Sequence, residues 1–163
     1  PVRAGPCGAG RWRAHDRPRR GARAATRRCP PLPRQHPGAP ARVRAIALRI
    51  ACEIQPLDNL RVLNYLTATL GVSRERKDGW YRYWIDVGFE ALEKLLARDT
   101  ATGHFCHGDQ PTLADICLVP QIANARRFDI DMSPYPTLTR IESACNALPA
   151  FADAAPARQP DAE

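Results

Sequence analysis

The stretch Gly108-Asp-Gln-Pro-Thr-Leu-Ala-Asp115, continued by Ile116-Cys-Leu-Val-Pro-Gln-Ile-Ala123, decides how the rest of this chain is interpreted. Thr112 and Asp115 have the spacing of a capping box, in which each side chain binds the other residue's backbone N–H where a helix begins. Asp is a shorter variant of the usual Glu or Gln. The residues that follow are apolar on nearly every side, which predicts a central, buried helix that starts after Thr112.

Helical spacing of apolar residues is also present on the N-terminal side of this stretch. Residues from Glu75 to Ala97 have the period of a second long helix, whose predicted core face consists of Trp80, Trp84, Val87, Ala91, Leu92 and Leu95. Gly88 lies beside this face, where the lack of a side chain would allow another helix to approach closely. Residues 98–111 contain two glycines and a proline and are predicted to form a loop.

An earlier helix is predicted just after residue 42. Its apolar stripe consists of Val43, Ile46, Ala47, Ile50, Ala51 and Ile54, and it resumes after Pro56 at Leu57, Leu60, Leu63, Tyr65 and Leu66. Pro56 should kink the chain there. Near the C-terminus, Pro134 and Pro136 open a last helix, and Pro149 is predicted to end it. Helices throughout and no convincing strand indicate an all-α bundle.

Residues 1–42 differ in composition from the rest of the chain. They contain 11 of the 24 basic residues and one of the 17 acidic ones, a net charge of +10, which leaves −3 for residues 43–163. Many prolines and few apolar residues exclude a periodic helix or a core. Residues 1–41 are therefore predicted to be a disordered extension, and residues 42–163 the helical domain. Since the positive charge is confined to the extension, nucleic acid is not expected as a partner of that domain.

Three interpretations of the extension stay open. It could be a basic arm that binds nucleic acid or anionic lipid, or an organelle transit segment, although its prolines oppose the amphipathic helix of such segments. The favoured interpretation is GC-rich DNA translated in the wrong frame. Arg, Ala, Pro and Gly have GC-rich codons, whereas Lys, Ile, Asn, Phe and Tyr are missing from this segment. The chain begins with Pro1, so its true start is expected further upstream.

The remaining candidate chemistry is sparse. The six cysteines form no CxxC pair, which is typical of reduced thiols in a cytoplasmic protein. No apolar run is long enough to predict a membrane span, which needs about 18 residues. His104-Phe-Cys106-His107 has too few ligands for a structural metal site, so no metal is predicted. No third group would orient a Cys–His pair, and no catalytic residue is assigned in this chain.

Two polar clusters have a structural and a functional interpretation each. Arg126-Arg127, near the end of the predicted buried helix, could complement the helix dipole, or one guanidinium could bind a carboxylate in two-pronged fashion. Gln55-Pro-Leu-Asp-Asn59-Leu-Arg61 lies beside the predicted kink and could be a solvated helix joint or the lip of a binding site. The residue types alone leave both pairs of alternatives open.

Several of these segments resemble a known family. Gly108–Asp115 resembles the GD-x-x-[ST]-x-A-D capping segment of the glutathione transferase C-terminal domain, and Tyr135-Pro-Thr-Leu138 with Leu148-Pro-Ala-Phe151 resembles a late helix of that superfamily. Segments similar to the zeta class, the family of maleylacetoacetate and maleylpyruvate isomerases, are Ile54–Leu63, Gly88–Glu93, Cys117–Gln121, Asn124–Phe128 and Arg158–Asp161. The resemblance begins near Arg42 and implies a glutathione S-transferase C-terminal-like helical bundle.

The resemblance also implies an activity. Members of this family convert the cis double bond of maleylacetoacetate or maleylpyruvate to trans, with glutathione as catalyst, in tyrosine, phenylalanine or gentisate breakdown. Such enzymes are cytoplasmic homodimers that act on a small dicarboxylate. By resemblance, Gln55 and Asn59 hold glutathione, Arg127 binds a substrate carboxylate, and Arg61 lines the pocket for the acidic substrate. Fixed guanidinium charges suit a dianionic substrate.

One part of the family pattern has no counterpart here. The family places a thioredoxin-like domain ahead of the helical one, with a Ser/Cys motif that activates the glutathione thiol. Residues 1–42 show no βαβ pattern, and the first serine is Ser73. This chain alone is therefore expected to be an inactive fragment with an exposed apolar face. The alternative is a non-enzymatic helical binding module whose basic arm recruits nucleic acid or another acidic partner.

Overall fold

The computed structural model describes residues 39–159. Six α-helices follow one another along the chain: α1 Ala39–Leu48, α2 Leu60–Asn64, α3 Arg74–Arg98, α4 Leu113–Arg127, α5 Pro136–Asn146 and α6 Pro149–Asp153. Two π-helical segments, Arg49–Ile54 and Tyr65–Thr69, extend α1 and α2, and a 3₁₀ turn spans Pro156–Arg158. Between residues 39 and 159 there is no strand, which confirms the predicted all-α class.

The predicted extension lies almost wholly outside the described residues. Helix α1 begins at Ala39, three residues before the boundary predicted at Arg42. Pro40 is tolerated there because the first turn of a helix has no acceptor for its missing N–H. The division into an extension and a helical domain stays a prediction, since residues 1–38 are not described.

The core is built around α3, which has 25 residues and packs against the π-helical segment after α1 and against α5. Helix α4 packs against α1 and α5. The predicted stripe of α1 is confirmed, because Ile46, Ile50 and Ile54 are buried. The stripe predicted beyond Pro56 is only partly right. Leu63 is buried there, whereas Leu60 is 74% exposed.

The predicted core face of α3 is wrong by about one position. The side chains that are buried are Tyr81, Ile85, Phe89, Leu92 and Leu96. Val87 and Leu95, both assigned to the core, are exposed, and the two tryptophans are only partly buried. Apolar residues cover a wide arc of this helix, so periodicity allows either face. Contacts with α5 and with the end of α1 decide which one is inside.

Helix α4 is likewise less buried than predicted. Leu118, Ile122 and Ala125 lie in the core, but Leu113 and Ile116 are each more than half exposed. Neighbouring helices cover α4 on the sides of α1 and α5, and one apolar side remains open. The sequence pattern of a helix that is apolar all round therefore indicates here a helix with an uncovered face.

The capping box at the start of α4 forms as its spacing predicts. The Asp115 carboxylate is fully buried and accepts from the Thr112 N–H and hydroxyl, both at 2.7 Å. Its other oxygen accepts from the Cys106 N–H at 2.8 Å. Asp115 thus connects the loop before α4 to the first turn of the helix, which three charge-assisted hydrogen bonds stabilise.

Arg42 holds the start of α1 against that same loop. Its guanidinium forms an ion pair with Asp99 at 2.7 Å and donates to the Cys106 carbonyl oxygen at 2.5 Å. It also donates to the Thr102 hydroxyl and lies 3.3 Å from His107 Nδ1. One largely buried side chain therefore determines where the chain enters the bundle, close to the first turn of α4.

The C-terminal part differs from the prediction in one respect. Helix α5 ends at Asn146, and Pro149 begins the short helix α6 instead of only ending the previous one. A proline is well placed at a first helical position, where its fixed φ suits the helix. Among the helices between residues 39 and 159, none has both the length and the apolarity that crossing a membrane requires.

Candidate functional site

The segment Gln55–Arg61 follows the π-helical end of α1 and leads into α2. The Gln55 side chain is exposed, and its backbone N–H donates to the Ile50 carbonyl oxygen at 3.0 Å. Asn59 is the N-cap of α2, and its Oδ1 accepts from the Arg61 N–H at 2.8 Å. The cap uses the oxygen of the Asn59 amide and leaves its two N–H donors pointing away from the helix.

Trp80 fastens this segment to α3. Its indole N–H donates to the Leu57 carbonyl oxygen at 2.9 Å, and its ring meets that of Trp84 edge-on at 5.6 Å. The two tryptophans therefore act as a partly buried wall that supports the kink after Pro56. This role explains their apolar character without placing them in the centre of the core.

Arg127 lies at the C-terminal end of α4, which an aromatic stack holds against α3. The rings of Phe128 and Tyr81 stack at 3.8 Å, and Arg82 Nε donates to the Phe128 carbonyl oxygen at 2.8 Å. The Arg127 guanidinium carbon lies 5.5 Å from the Phe128 ring centroid. A planar guanidinium near an aromatic face is loosely held, and its donors stay available.

Tyr81 connects the two predicted clusters. Burial raises the pKa of its hydroxyl, the charge on Asp58 raises that pKa further, and the adjacent Arg127 acts in the opposite direction. Asp58 and Arg127 therefore both lie near one hydroxyl, although 69 residues separate them in the sequence. The structure thus brings Arg127 to the same end of the bundle as Gln55–Arg61.

Asp58 is a residue of this region that the sequence analysis did not single out. It is 9% exposed, and neither of its carboxylate oxygens has a hydrogen-bond donor among the described residues. Burial raises the pKa of this carboxyl to about 7. No pattern distinguishes it from its exposed neighbours. The bond from Trp80 to Leu57, which turns this part of the segment towards α3, has no signal in the sequence.

The two adjacent arginines have different environments. Arg126 pairs with the Glu142 carboxylate of α5 at 2.6 Å, and this hydrogen-bonded carboxylate raises the pKa of its guanidinium. Arg127 forms no salt bridge within the described part of the chain. Successive helical residues point about 100° apart. The structural interpretation therefore fits Arg126, and Arg127 is the one with free donors.

The Cys106 and His107 loop offers no nucleophile. Cys106 is fully buried, and burial raises the pKa of its thiol far above the ordinary value, so the reactive thiolate is disfavoured. The backbone and side chains around it serve the contacts with Arg42 and Asp115. In residues 39–159, no three His, Cys, Asp or Glu side chains lie close enough together to hold a metal ion.

An apolar groove runs along the open side of α4. It has a volume of about 570 Å³ and lies between α4 and the C-terminal segment that includes α6. The residues that give it its apolar character are Ile116, Val119, Pro120, Ala123, Phe151 and Pro156. Ile116, which is 58% exposed, lies in the first turn of α4, near the place where Arg42 holds the incoming chain.

Comparison with known proteins places this architecture. Residues 85–153 match the family model described as glutathione S-transferase, C-terminal domain. A probable maleylacetoacetate isomerase of Vibrio cholerae is 56% identical over 135 residues, which are 81% of this chain and 62% of that protein. This similarity extends well beyond the segment that the family model covers.

Solved structures agree with that match. A bacterial maleylpyruvate isomerase in the zeta class superimposes with a TM-score of 0.77 at 45% identity, over 79% of this chain and 61% of its own. A maleylacetoacetate isomerase from Methylobacterium extorquens AM1, with bound malonate and glutathione, superimposes with a TM-score of 0.76 at 39% identity, over 79% and 60%.

The chain spans about 60% of the length of these relatives. The matched part coincides with the helical bundle, and the fold, the capping segment and the identity all agree. The chain therefore belongs to the zeta class of the glutathione S-transferase family.

Proposed function

We propose that this chain forms the substrate-side domain of a glutathione-dependent cis–trans isomerase of maleylacetoacetate or maleylpyruvate. The observation that supports this most is the location of Arg127, an unpaired guanidinium beside Tyr81, at the same end of the bundle as Gln55–Arg61. The homodimer and the cytoplasmic location that the resemblance implies belong to the same proposal.

In this proposal Arg127 binds a carboxylate of the substrate. A guanidinium presents two parallel N–H groups to a carboxylate, which gives both affinity and orientation. Arg61 is exposed on the first turn of α2 and supplies a second positive charge for a dianion. No residue of this chain serves as nucleophile or base, so the chain's part in the reaction is to bind and orient the substrate.

Gln55 and Asn59 would contribute to holding glutathione. Both side chains are exposed, and the amide N–H groups of Asn59 are not used by its cap of α2. Amides of this kind suit the carboxylates and peptide groups of a tripeptide. Glutathione, when bound, supplies the thiol that the isomerisation needs. The fit of these residues is partial, which agrees with further glutathione contacts from the thioredoxin-like domain of the family.

The apolar groove on α4 would receive that thioredoxin-like domain. The relatives are longer than this chain, and the matched model describes a C-terminal domain. The groove begins at Ile116, near the point where Arg42 holds the incoming chain. An upstream domain would therefore meet the groove soon after its connection to α1, and would cover a large apolar surface that is otherwise exposed to water.

The carboxylate site can be tested with malonate, which is bound in the structure of one relative. Titration calorimetry on the full 163-residue chain should detect malonate binding that Arg127→Gln weakens by roughly tenfold or more, the loss expected for a charged hydrogen-bonding group. Arg126→Gln is the matched control, since Arg126 is already paired with Glu142. Equal losses in both variants, or malonate binding that neither changes, would contradict the assignment of Arg127.

The activity itself needs the upstream domain. Joining the part of the Vibrio cholerae relative that this chain does not match to residues 39–163 should produce glutathione-dependent isomerisation of maleylacetoacetate or maleylpyruvate. Arg127→Gln in this fusion should lower kcat/KM by about a hundredfold, because a bidentate charged contact is removed from a buried site. A folded fusion that binds glutathione and isomerises neither substrate would refute the proposed function.

A further inference from the structure

Asp58 is a buried carboxyl group for which the described contacts account poorly. It is nine-tenths buried and both oxygens lack a donor, whereas buried polar groups in proteins are nearly always hydrogen-bonded. Its backbone N–H is used by the turn, donating to the Ile54 carbonyl oxygen at 3.3 Å. A carboxyl group in this position costs stability when it is charged, which suggests that its presence has another consequence.

The nearest titratable neighbour of Asp58 on α3 is Tyr81. The Tyr81 ring is fixed by its stack on Phe128, so its hydroxyl cannot move far. Asp58 and Arg127 act on this hydroxyl with opposite sign. A phenol can donate one hydrogen and accept others, so an ionised Asp58 would take the Tyr81 hydrogen and leave the oxygen lone pairs for the guanidinium.

Other charged groups near this place are already engaged or point to solvent. One turn before Tyr81 on α3, Lys77 and Asp78 pair with each other at 3.2 Å. On α2, Arg61 is exposed. At the end of α4, Arg126 is paired with Glu142. Tyr81 and Arg127 are therefore the groups through which the charge state of Asp58 can act.

We propose that Asp58 acts through the Tyr81 hydroxyl on Arg127, and so sets how carboxylate binding at Arg127 depends on pH. This rests on the proposed function, because it concerns the same carboxylate site. Asp58 touches neither substrate nor cofactor in this proposal, and is a positioning residue. Its ionised form turns the Tyr81 oxygen towards the guanidinium and adds a negative charge behind it. Both effects oppose an incoming carboxylate.

The direction of the effect follows from linkage. Burial keeps Asp58 neutral below about pH 7, and in that state Tyr81 is free to donate to a carboxylate on Arg127. Above that pH the charged form competes with the substrate. Anion affinity should therefore fall as pH rises through about 7, and a bound anion should in turn raise the pKa of Asp58 by reciprocity.

The coupling can be measured first without any ligand. Carboxyl-carbon NMR on the full chain, with Asp58→Asn to assign the resonance, gives the midpoint of the Asp58 titration. Arg127→Gln should raise this midpoint, since a positive neighbour is lost. Tyr81→Phe keeps the stack on Phe128 but removes the hydroxyl, and in that background Arg127→Gln should have little further effect. A midpoint that Arg127→Gln leaves unchanged in the wild-type background would overturn the proposal.

Malonate then tests the consequence for binding. Between about pH 6 and pH 8, the dissociation constant of the wild-type chain should rise roughly three- to tenfold relative to that of Asp58→Asn, the size expected for charges several ångströms apart near a surface. Tyr81→Phe should flatten the profile in the same way. A merely structural role of Asp58 would change affinity equally at both pH values.

The outcomes separate this inference from the proposed function. Malonate binding through Arg127 with the same pH profile in wild type and Asp58→Asn overturns the inference and leaves the carboxylate site standing. A titration midpoint that responds to Arg127→Gln, in a chain that binds no malonate at either pH, supports the coupling and removes the carboxylate site from the proposed function.

Discussion

At the scale of single residues, the contrast between Asp58 and its neighbours carries the main lesson. Gln55, Asn59 and Arg61 are exposed, as expected of a polar segment beside a kink, whereas Asp58 is turned inwards. The same holds for the adjacent arginines, of which Arg126 is paired and Arg127 is not. One position along a chain is enough to change a residue from a structural to a functional environment.

A prediction for stability follows from the burial of Asp58. Its pKa is raised from 3.8 to about 7 in the folded chain, so the folded state binds more protons than the unfolded state between these values. The destabilisation by Asp58 is therefore absent below about pH 4, grows towards pH 7 and stays constant above it. Relative to wild type, Asp58→Asn should gain about 2 to 3 kcal/mol in free energy of unfolding between pH 5 and pH 8.

Urea unfolding at several pH values measures this difference. Asp78→Asn is a suitable control, because Asp78 is half-buried and already paired with Lys77. The absolute stability of Asp58→Asn also reflects how well the new amide is hydrogen-bonded, so the pH dependence is the informative quantity. Parallel curves for wild type and Asp58→Asn would show that Asp58 is ionised normally.

At the scale of elements, the approach of α3 to the end of α1 depends on Gly88. A Cβ at this position would lie 2.3 Å from Ile54 Cδ1 and 2.4 Å from Ile54 Cγ1. Ile54 is buried and immediately precedes Gln55, so it cannot move without shifting the site segment. The sequence analysis placed a close helix contact at Gly88, and the structure identifies its partner.

Gly88→Ala should therefore destabilise the fold by about 1 to 3 kcal/mol, as overpacking of a filled core usually does. Gly79→Ala is the matched control on the same helix, since nothing lies within 4 Å of its added Cβ. That variant should gain up to about 1 kcal/mol from helix propensity. Thermal unfolding of both variants tests the contact, and a stabilised Gly88→Ala would mean that α3 and the end of α1 are not packed as described.

At the scale of the whole molecule, the open side of α4 determines how this chain behaves in solution. An apolar groove of this size on an exposed helix face favours association with another surface. When the thioredoxin-like domain is not present, a second molecule is the available partner. We therefore expect the 163-residue chain to self-associate at high concentration.

Ile116→Asp should weaken this association at least tenfold while leaving the unfolding free energy nearly unchanged, because Ile116 is more than half exposed and the charge falls within the groove. Sedimentation velocity over a range of concentrations measures the effect. Leu113→Asp is the control, since Leu113 is also exposed on α4 but does not line the groove. If both variants associate like wild type, the groove is not the contact surface.

The sequence by itself determined the helical class, the capping box at Thr112 and Asp115, the bounds of α3 to within a residue, and the family. These depend on spacing within a few residues, because a helix and its cap are made by hydrogen bonds between near neighbours. Only the tertiary structure decided which face of α3 is inside, that one face of α4 stays open, and that Asp58 meets Tyr81 near Arg127. Burial depends on which elements meet, and those contacts join residues that are far apart in the chain.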